Sequence, residues 1–151
     1  MSKKKDGFNM IAVSACLAGV LCRYDGKSQY NKKVQKLLKK KGVVIICPEL
    51  LSSFSSVPRP ACQIVGGDGK DVLDNKATVK GIDGKDYTKA FIKGAKKGLN
   101  FLKALKIKYV LLKKKSPSCG FGKIYKGKDL VKGNGVFCAL LIRNKIKVKS
   151  L

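Results

Sequence analysis

Residues 43–49 read Val-Val-Ile-Ile-Cys-Pro-Glu, and they give the clearest indication of the fold class. An unbroken β-branched run that stops at a Cys-Pro step is typical of a buried parallel strand opening into a loop. Residues 10–14 form a short apolar run that predicts an earlier strand. Between the two, residues 32–41 predict a helix, because their apolar side chains recur at helical spacing among lysines, at Val34, Leu37 and Leu38.

A second unit repeats this order of helix and strand. Thr88 can cap a helix with one apolar face, made by Ala90, Phe91, Ala95, Leu99, Leu102 and Leu105. A strand over residues 107–112 follows, and the apolar stretches 135–142 and 146–148 predict one or two more strands. This alternation favours an α/β fold: one three-layer domain with an open, mostly parallel, Rossmann-like sheet flanked by helices on both faces.

Residues 52–87 differ in composition from the rest of the chain. They contain many serines, prolines and glycines, and few of their apolar residues recur at regular spacing. We interpret them as an ordered excursion of the same domain, so that residues 1–151 form one domain with a flexible basic N-terminus at 1–9. The glycine-rich run 66–69 can cradle a phosphate, but it matches neither a Walker loop nor a GxGxxG fingerprint, so a plain turn cluster is favoured.

The charge is strongly positive, with 34 Lys and Arg against 9 Asp and Glu in 151 residues, a formal net charge of +25. An acidic or neutral surface is therefore excluded. Arginine occurs only at Arg23, Arg59 and Arg143, so the basicity favours diffuse attraction to polyanions over planar, bidentate recognition. Solvated surface lysines explain much of this charge equally well, and charge alone does not identify a function.

The chain has no apolar stretch of membrane-spanning length and no secretory signal at its start. We therefore expect a cytoplasmic protein without a membrane partner. In a reducing compartment, metal binding or thiol chemistry is favoured over a disulfide framework for the six cysteines, Cys16, Cys22, Cys47, Cys62, Cys119 and Cys138. The absence of histidine excludes His-containing zinc sites and Cys/His or Ser/His catalytic pairs.

Three of these cysteines follow predicted strands: Cys16, Cys47 and Cys119. Because the carboxyl ends of parallel strands meet at one edge of the sheet, we expect these thiols to converge there. Three thiolates without another soft ligand favour an iron-sulfur cluster over catalytic zinc. A cubane cluster on three protein ligands keeps one open iron, which is a Lewis acid for a substrate. The alternative is that the thiols are buried and inert.

Several motifs occur in a fixed order: Ser14-Ala15-Cys16-Leu17, Cys22-Arg23-Tyr24-Asp25-Gly26, Cys47-Pro48-Glu49, Val57-Pro58-Arg59-Pro60, Gly66-Gly67-Asp68-Gly69, Ser116-Pro117-Ser118-Cys119-Gly120, and Gly135-Val136 with Ala139-Leu140-Leu141. Together they resemble the small thiouracil desulfidases of the TudS type, a family long catalogued as a domain of unknown function. The resemblance runs from about residue 10 to residue 148. Two departures affect the expected pocket: residues 51–56 replace a glycine-rich stretch, and Phe137-Cys138 stands where small or hydroxyl residues are commoner.

The resemblance implies a [4Fe-4S] cluster on Cys16, Cys47 and Cys119 and the removal of sulfur from a 4-thiouracil compound without net redox change. The implied substrates are thiouracil, 4-thiouridine monophosphate or 4-thiouridine in transfer RNA, each giving the uracil form and hydrosulfide. The soft thiocarbonyl sulfur would bind the open iron, and water would attack the ring carbon.

Glu49, two residues from a predicted ligand, is our candidate for the general base that deprotonates this water. A helix-start carboxylate or a lysine partner is its structural alternative. Ser116 and Ser118 are candidates to hydrogen-bond the water or the leaving sulfur, Ser116 ahead of Ser118, with turn capping as the alternative. The remaining cysteines are interpreted as non-ligands; Cys22 is the nearest of them to the site, and packing is favoured for it over reactivity.

Lys115, at the predicted cluster edge, and Arg23 and Arg59, in motif loops on the same side, are candidates to hold a substrate phosphate. A nucleotide or RNA substrate is therefore favoured over the bare base. Two other classes remain open: a basic RNA-binding module, which would leave the strand-end cysteines idle, and a thiol or zinc-binding protein, which would normally show CxxC. The sequence leaves a monomer and a homodimer equally open.

Overall fold

The computed structural model describes residues 10–40, 42–52 and 56–151, so the N-terminal segment 1–9 and its expected flexibility lie outside the described residues. In chain order the elements are β1 (Ile11–Ser14), a 3-10 turn (Ala15–Ala18), α1 (Lys32–Leu38), β2 (Val43–Ile46), β3 (Cys62–Val65), α2 (Gly69–Leu73), β4 (Thr78–Gly81), α3 (Thr88–Ala104), β5 (Tyr109–Leu112), β6 (Lys123–Lys126), β7 (Asp129–Lys132), α4 (Val136–Arg143) and β8 (Lys147–Ser150). Within this described part of the chain, none of the helices combines the length and the apolar character needed to cross a membrane.

The main sheet has four strands in the order β2-β1-β5-β8, and every neighbouring pair is parallel. Ser14 at the end of β1 lies beside Ile46 at the end of β2, and Val13 pairs with Leu111 of β5. The chain therefore leaves β1, β2 and β5 at the same edge. Two antiparallel hairpins, β3-β4 and β6-β7, accompany this sheet.

Helices cover both faces of the sheet. Side chains alternate along a strand, so Val13 and Leu111 pack with Val34 of α1 on one face, while Ala12 and Val110 belong to the larger core on the other. That larger core is filled by α3 and α4, including Ala95, Leu99, Leu102, Phe137 and Leu141. The three-layer α/β prediction is confirmed, as is the apolar face predicted for α3.

The stretch 135–142 is a helix, α4, and the strand predicted there is wrong. Residues 136–141 are all buried, because α4 lies among the sheet, α2 and α3. A helix buried on every side shows no polar face, so its sequence is a continuous apolar run that periodicity cannot tell from a buried strand. The close approach of α3 depends on Gly98, where a Cβ would lie 2.7 Å from the Phe137 ring.

Two smaller predictions also need correction. The strand at 43–46 is present, but β2 is an edge strand and Ile45 is 44% exposed, so it is not buried on both faces. Thr88 is the first residue of α3 and not its cap. Its hydroxyl accepts from the Val79 N–H at 2.9 Å, and the Asp86 carboxylate accepts from the Thr88 N–H at 2.8 Å.

The excursion 52–87 contains β3, α2 and β4, and its glycine-rich run is the turn that enters α2. Asp68 caps this helix in a reciprocal capping box with Asp71. Gly69 packs against the start of α4, since a Cβ there would lie 2.2 Å from the Gly135 carbonyl oxygen. Gly135 in turn touches the loop that follows β5, because its Cβ would lie 2.4 Å from the Ser118 carbonyl oxygen. This backbone stack positions the loop that carries Cys119.

Candidate functional site

The carboxyl ends of β1, β2 and β5 open into one cavity of about 540 Å³. The loop after β1 brings Cys16, the loop after β2 brings Cys47, and the loop after β5 brings Cys119. The hairpins β3-β4 and β6-β7 contribute further walls. Every residue that the sequence analysis assigned to the site lines this cavity: Cys16, Arg23, Cys47, Glu49, Arg59, Lys115, Ser116, Ser118 and Cys119.

Four cysteines, all free thiols, meet at the cavity floor instead of three. Cys16 and Cys22 form a small buried cluster, and the half-buried Cys47 packs against it. The Cys22 thiol hydrogen-bonds to both Cys16 and Cys47. Cys119 is buried close to Cys16 and Cys47, and its sulfur hydrogen-bonds with the Ser14 hydroxyl.

The surroundings change how easily these thiols ionise. The hydrogen bond with Cys22 lowers the pKa of Cys16 and of Cys47 below the usual range, in each case against the effect of burial. For Cys119, burial dominates, and the nearby Cys47 and Cys16 add to it, so its pKa rises well above the usual value. The same hydrogen bonds raise the pKa of Cys22, so the floor combines two thiols of lowered pKa, Cys16 and Cys47, with two of raised pKa, Cys22 and Cys119.

Lys113 supplies a cation to this floor. Burial is the main cause that lowers the pKa of Lys113, while Cys16 and Cys119 act in the opposite direction. Its backbone N–H donates to the Ser14 hydroxyl oxygen at 2.9 Å, which ties the end of β5 to the end of β1. Ser14 thus joins two strand ends and also contacts the Cys119 thiol.

Glu49 is held by Arg59. The Arg59 Nε donates to Glu49 Oε1 at 3.0 Å, and its Nη2 donates to the same oxygen. The Nη2 also donates to the Cys22 carbonyl oxygen at 2.9 Å, and the backbone N–H of Arg59 donates to the Tyr24 carbonyl oxygen at 2.7 Å. The Arg59 side chain is 2% exposed and that of Glu49 is 18% exposed. One arginine therefore connects the loop after β2 with the loop that carries Cys22.

The two candidate serines occupy different positions in the loop before Cys119. The Ser116 hydroxyl oxygen accepts from the Cys119 N–H at 2.6 Å, so the turn-capping role considered for it is present in the structure. That hydroxyl retains a proton to donate. Ser118 is buried, and its carbonyl oxygen accepts from the N–H of Cys138 at the start of α4 at 3.1 Å.

The rim of the cavity is basic and partly aromatic. Arg23 forms a 3.8 Å ion pair with Asp25, and its guanidinium carbon lies 5.7 Å from the centre of the Tyr24 ring. Lys115 has a left-handed backbone (φ 73°) that forms a bridge to Ile124 of β6. Arg23 and Lys115 are partly exposed at the cavity, whereas the guanidinium of Arg59, which also lines the cavity, is buried against Glu49.

Three features of the site were not predicted from the sequence. Ser14 received no role, although its hydroxyl lies two residues before Cys16, at a strand end. Cys22 was interpreted as a packing residue, and only its short spacing from Cys16 indicated that a turn brings the two thiols together. The pairing of Arg59 with Glu49 could not be predicted, because the loop between them gives no periodic signal.

The donor chemistry of the floor fits an iron-sulfur cluster. Three soft sulfur donors come from three separate strand ends, and the sequence contains no histidine that would favour zinc. Among residues 10–40, 42–52 and 56–151, no three His, Cys, Asp or Glu side chains are placed to hold a single metal ion.

Comparison with known proteins identifies the class of this α/β protein, whose cavity has cysteine thiols at its base. Residues 11–150 match the family described as 2-thiouracil desulfurase, and the chain belongs to that family. It is 44% identical over 135 residues to the protein YbbK of Bacillus subtilis strain 168, covering 87% of this chain and 89% of YbbK. Among solved structures it is similar to a [4Fe-4S]-dependent thiouracil desulfidase, TudS, with a TM-score of 0.80 and 35% identity over 94% of this chain and 90% of that one. The family resemblance read from the motifs is confirmed.

Proposed function

We propose that this protein is a [4Fe-4S]-dependent desulfidase that hydrolyses the carbon-sulfur bond of a 4-thiouracil compound. The observation that carries the proposal is the meeting of Cys16, Cys47 and Cys119 in one cavity with Glu49. The similarity to a [4Fe-4S]-dependent thiouracil desulfidase supports the cofactor. In the net reaction, water replaces sulfur at the ring carbon, so that a thiocarbonyl becomes a carbonyl and hydrosulfide leaves with one proton released.

Cys16, Cys47 and Cys119 would hold the cluster. Each cysteine of such a cluster binds a different iron, so the sulfurs need not converge on one point. When bound, the cluster would supply an iron without a protein ligand, a Lewis acid that polarises the soft thiocarbonyl sulfur. The Lys113 cation offsets part of the negative charge that thiolates bring into this buried floor.

Glu49 would act as general base on the attacking water. Arg59 makes two N–H contacts to Glu49 Oε1 and thereby fixes the direction of the carboxylate. The Ser116 hydroxyl is oriented by the Cys119 N–H and would donate to the water or to the departing sulfur. Ser118 is the second candidate for that role because it lines the same cavity.

The substrate we propose is a nucleotide, 4-thiouridine monophosphate, in preference to the bare base. The cavity of about 540 Å³ falls in the ordinary range for a small-ligand site and has room beyond a pyrimidine ring. Arg23 and Lys115 at its rim would bind a phosphate, and the net charge of +25 would attract transfer RNA as an alternative carrier of the thiolated base. The free thiols fit the reducing cytoplasm, which we propose as the compartment.

The test begins with protein purified without oxygen and analysed for iron and acid-labile sulfide. Sulfide release is then measured with 4-thiouridine monophosphate, 4-thiouracil, 2-thiouracil and thiolated transfer RNA. We expect a brown protein that releases sulfide fastest from the 4-thio nucleotide. A colourless protein that binds only zinc would overturn the proposal in favour of a thiol or zinc-binding protein. RNA binding without sulfide release would favour the RNA-binding module.

Variants separate the cofactor ligands from the base. Cys119→Ala is expected to lose the iron, whereas Glu49→Gln is expected to keep the iron and lose about 100-fold or more in kcat. Cys62→Ala is the matched control, because this thiol lines the same cavity but is not assigned as a ligand. Its iron content should equal that of the wild type. Full activity of Glu49→Gln would remove Glu49 from the mechanism.

A further inference from the structure

Cys22 is a buried thiol on the cavity floor that the proposed mechanism does not use. Its exposed fraction is 2%, and it shares a buried cluster with Cys16, which is 8% exposed. Both residues line the cavity, which gives a small oxidant an approach to the pair. The contact between a predicted cluster ligand and a thiol that is not a ligand requires a chemical explanation.

The backbone holds the two thiols together. The 3-10 turn Ala15–Ala18 follows β1 directly, and Gly19, with φ 97°, reverses the chain at its end. The Gly19 N–H donates to the Cys16 carbonyl oxygen at 3.2 Å, and the Cys22 N–H donates to the Val20 carbonyl oxygen at 2.8 Å. The Arg59 Nη2 donates to the Cys22 carbonyl oxygen and so holds this end of the loop in place. The contact is therefore built into the loop and does not depend on a mobile side chain alone.

We propose that Cys16 and Cys22 form a reversible redox pair: when no cluster is bound, a hydroperoxide converts the two thiols into an intramolecular disulfide. The contact of the two sulfurs within one short loop carries this inference, since an attacking thiol must lie next to the oxidised sulfur. Cys22 also hydrogen-bonds with Cys47, but only Cys16 shares its loop. This inference rests on the proposed function only for its effect on the cluster, because that effect requires Cys16 to be a cluster ligand.

The chemistry balances in two steps. The hydroperoxide transfers an oxygen atom to one of the two sulfurs, giving a sulfenic acid, and its remainder leaves as water or an alcohol. The second thiol attacks the sulfenic sulfur, the S–S bond forms, and the oxygen leaves as water. The two thiols together lose two electrons and two protons, and the hydroperoxide is reduced.

The disulfide would have two consequences for the site. Cys16 cannot bind iron while it is paired, so cluster insertion would wait for a thiol reductant. At the same time, a disulfide is reversible, whereas a lone sulfenic acid can proceed to the sulfinic state, which is not. The pair would protect a ligand thiol in protein that has lost its cluster.

Trypsin provides a direct readout. Cleavage after Lys5 and Arg23 releases peptide 6–23, which contains both Cys16 and Cys22, whereas Cys47 lies in the separate peptide 42–70. The cluster-free full-length chain is reduced, treated with hydrogen peroxide, alkylated and digested. We expect most of peptide 6–23 to be lighter by two hydrogen atoms and not alkylated, and a dithiol reductant to restore alkylation of both thiols.

Three variants control the assignment. Cys22→Ser and Cys16→Ser should each abolish the mass change, while Cys62→Ser, which alters another thiol of the cavity, should retain it. Unpaired, fully alkylated peptide 6–23 in the wild type would overturn the proposal, and so would a cross-link between peptides 6–23 and 42–70. Because the measurement uses cluster-free protein, the mass change is expected even if the protein proves to bind no cluster. A cluster-binding protein without the mass change would disprove only the redox pair.

Discussion

Arg59 and Glu49 form a largely buried ion pair in which two N–H groups of the guanidinium converge on one carboxylate oxygen, Oε1. The same guanidinium binds the Cys22 carbonyl. An arginine in a substrate-binding role would present its donors to the cavity, whereas this one uses donors to orient a carboxylate. The structure therefore favours a positioning role for Arg59, and Arg23 at the rim is the better candidate for the phosphate.

The first prediction separates these roles by kinetics. Arg59→Lys keeps the charge but loses the planar, two-point contact, so we expect kcat to fall by about 10–100-fold with little change in KM. Arg23→Ala should raise the KM for the nucleotide and leave kcat nearly unchanged. Steady-state kinetics on protein of equal iron content give the comparison. If Arg59→Lys raised KM alone, Arg59 would be a substrate-binding residue, as the sequence predicted.

The convergence of Cys16, Cys47 and Cys119 was accessible from sequence because parallel strands deliver their carboxyl ends to one edge. The contact of Cys22 with Cys16 and Cys47 could not be predicted from the sequence. It depends on a turn that ends at Gly19 and on a hydrogen bond from Arg59, which is distant along the chain.

The misassigned helix α4 has a different cause. Its residues 136–141 are buried on every side, which removes the polar positions that distinguish a helical period from a strand. The hairpin β6-β7 was also missed, because its exposed, lysine-rich strands carry little apolar alternation.

The second prediction concerns the backbone stack under the Cys119 loop. Gly135 has an ordinary φ of −71°, so alanine there is disfavoured only by space, its Cβ lying 2.4 Å from the Ser118 carbonyl oxygen. We expect Gly135→Ala to lower the free energy of unfolding by about 3 kcal/mol and to reduce the iron content, because the loop must shift. Denaturant unfolding and iron analysis give the two readouts.

Gly84→Ala is the matched control for that substitution. Its site is open, with no atom within 4 Å of the added Cβ, but its φ is +81°. We therefore expect Gly84→Ala to lower the free energy of unfolding by about 1 kcal/mol, through backbone conformation alone, and to leave the iron content unchanged. Equal effects of the two substitutions on iron content would show that the stack does not position the site.

The third prediction is a pH dependence of stability at the start of α3. Hydrogen bonds from Thr88 and then the Lys80 ammonium lower the pKa of Asp86 to about 2. Because this pKa is depressed, the contribution of Asp86 is fully present above the unfolded-state pKa of about 3.9 and is lost as the pH falls toward 2.

Asp86→Ala should therefore cost about 0.5–1 kcal/mol at neutral pH, a small value because the carboxylate is exposed. Asp86→Asn keeps an acceptor for the Thr88 N–H and should cost less. Denaturant midpoints measured from pH 7 to pH 2 should show the difference between wild type and Asp86→Ala shrinking with acid. A constant difference would contradict the assignment.

The fourth prediction concerns Lys113, the cation beside Cys16 and Cys119. Lys113→Met keeps much of the side-chain volume and removes the charge, so the thiolates lose an attractive partner. Since Lys113 lowers the pKa of Cys16, the substitution should raise that pKa and slow alkylation of Cys16 in cluster-free protein near neutral pH. Peptide 6–23 reports this rate directly.

The same substitution should make the protein lose iron to a chelator about tenfold faster. Without the Lys113 cation, the negative charge of the cluster and its thiolate ligands is less compensated, which favours release of the cluster. Lys114→Met is the matched control: its side chain is exposed, and its removal should leave both the Cys16 alkylation rate and the iron retention unchanged. If Lys113→Met slowed alkylation but retained iron normally, the cation would tune the thiols without stabilising the cofactor. Unchanged alkylation would show that Lys113 does not act on Cys16 at all.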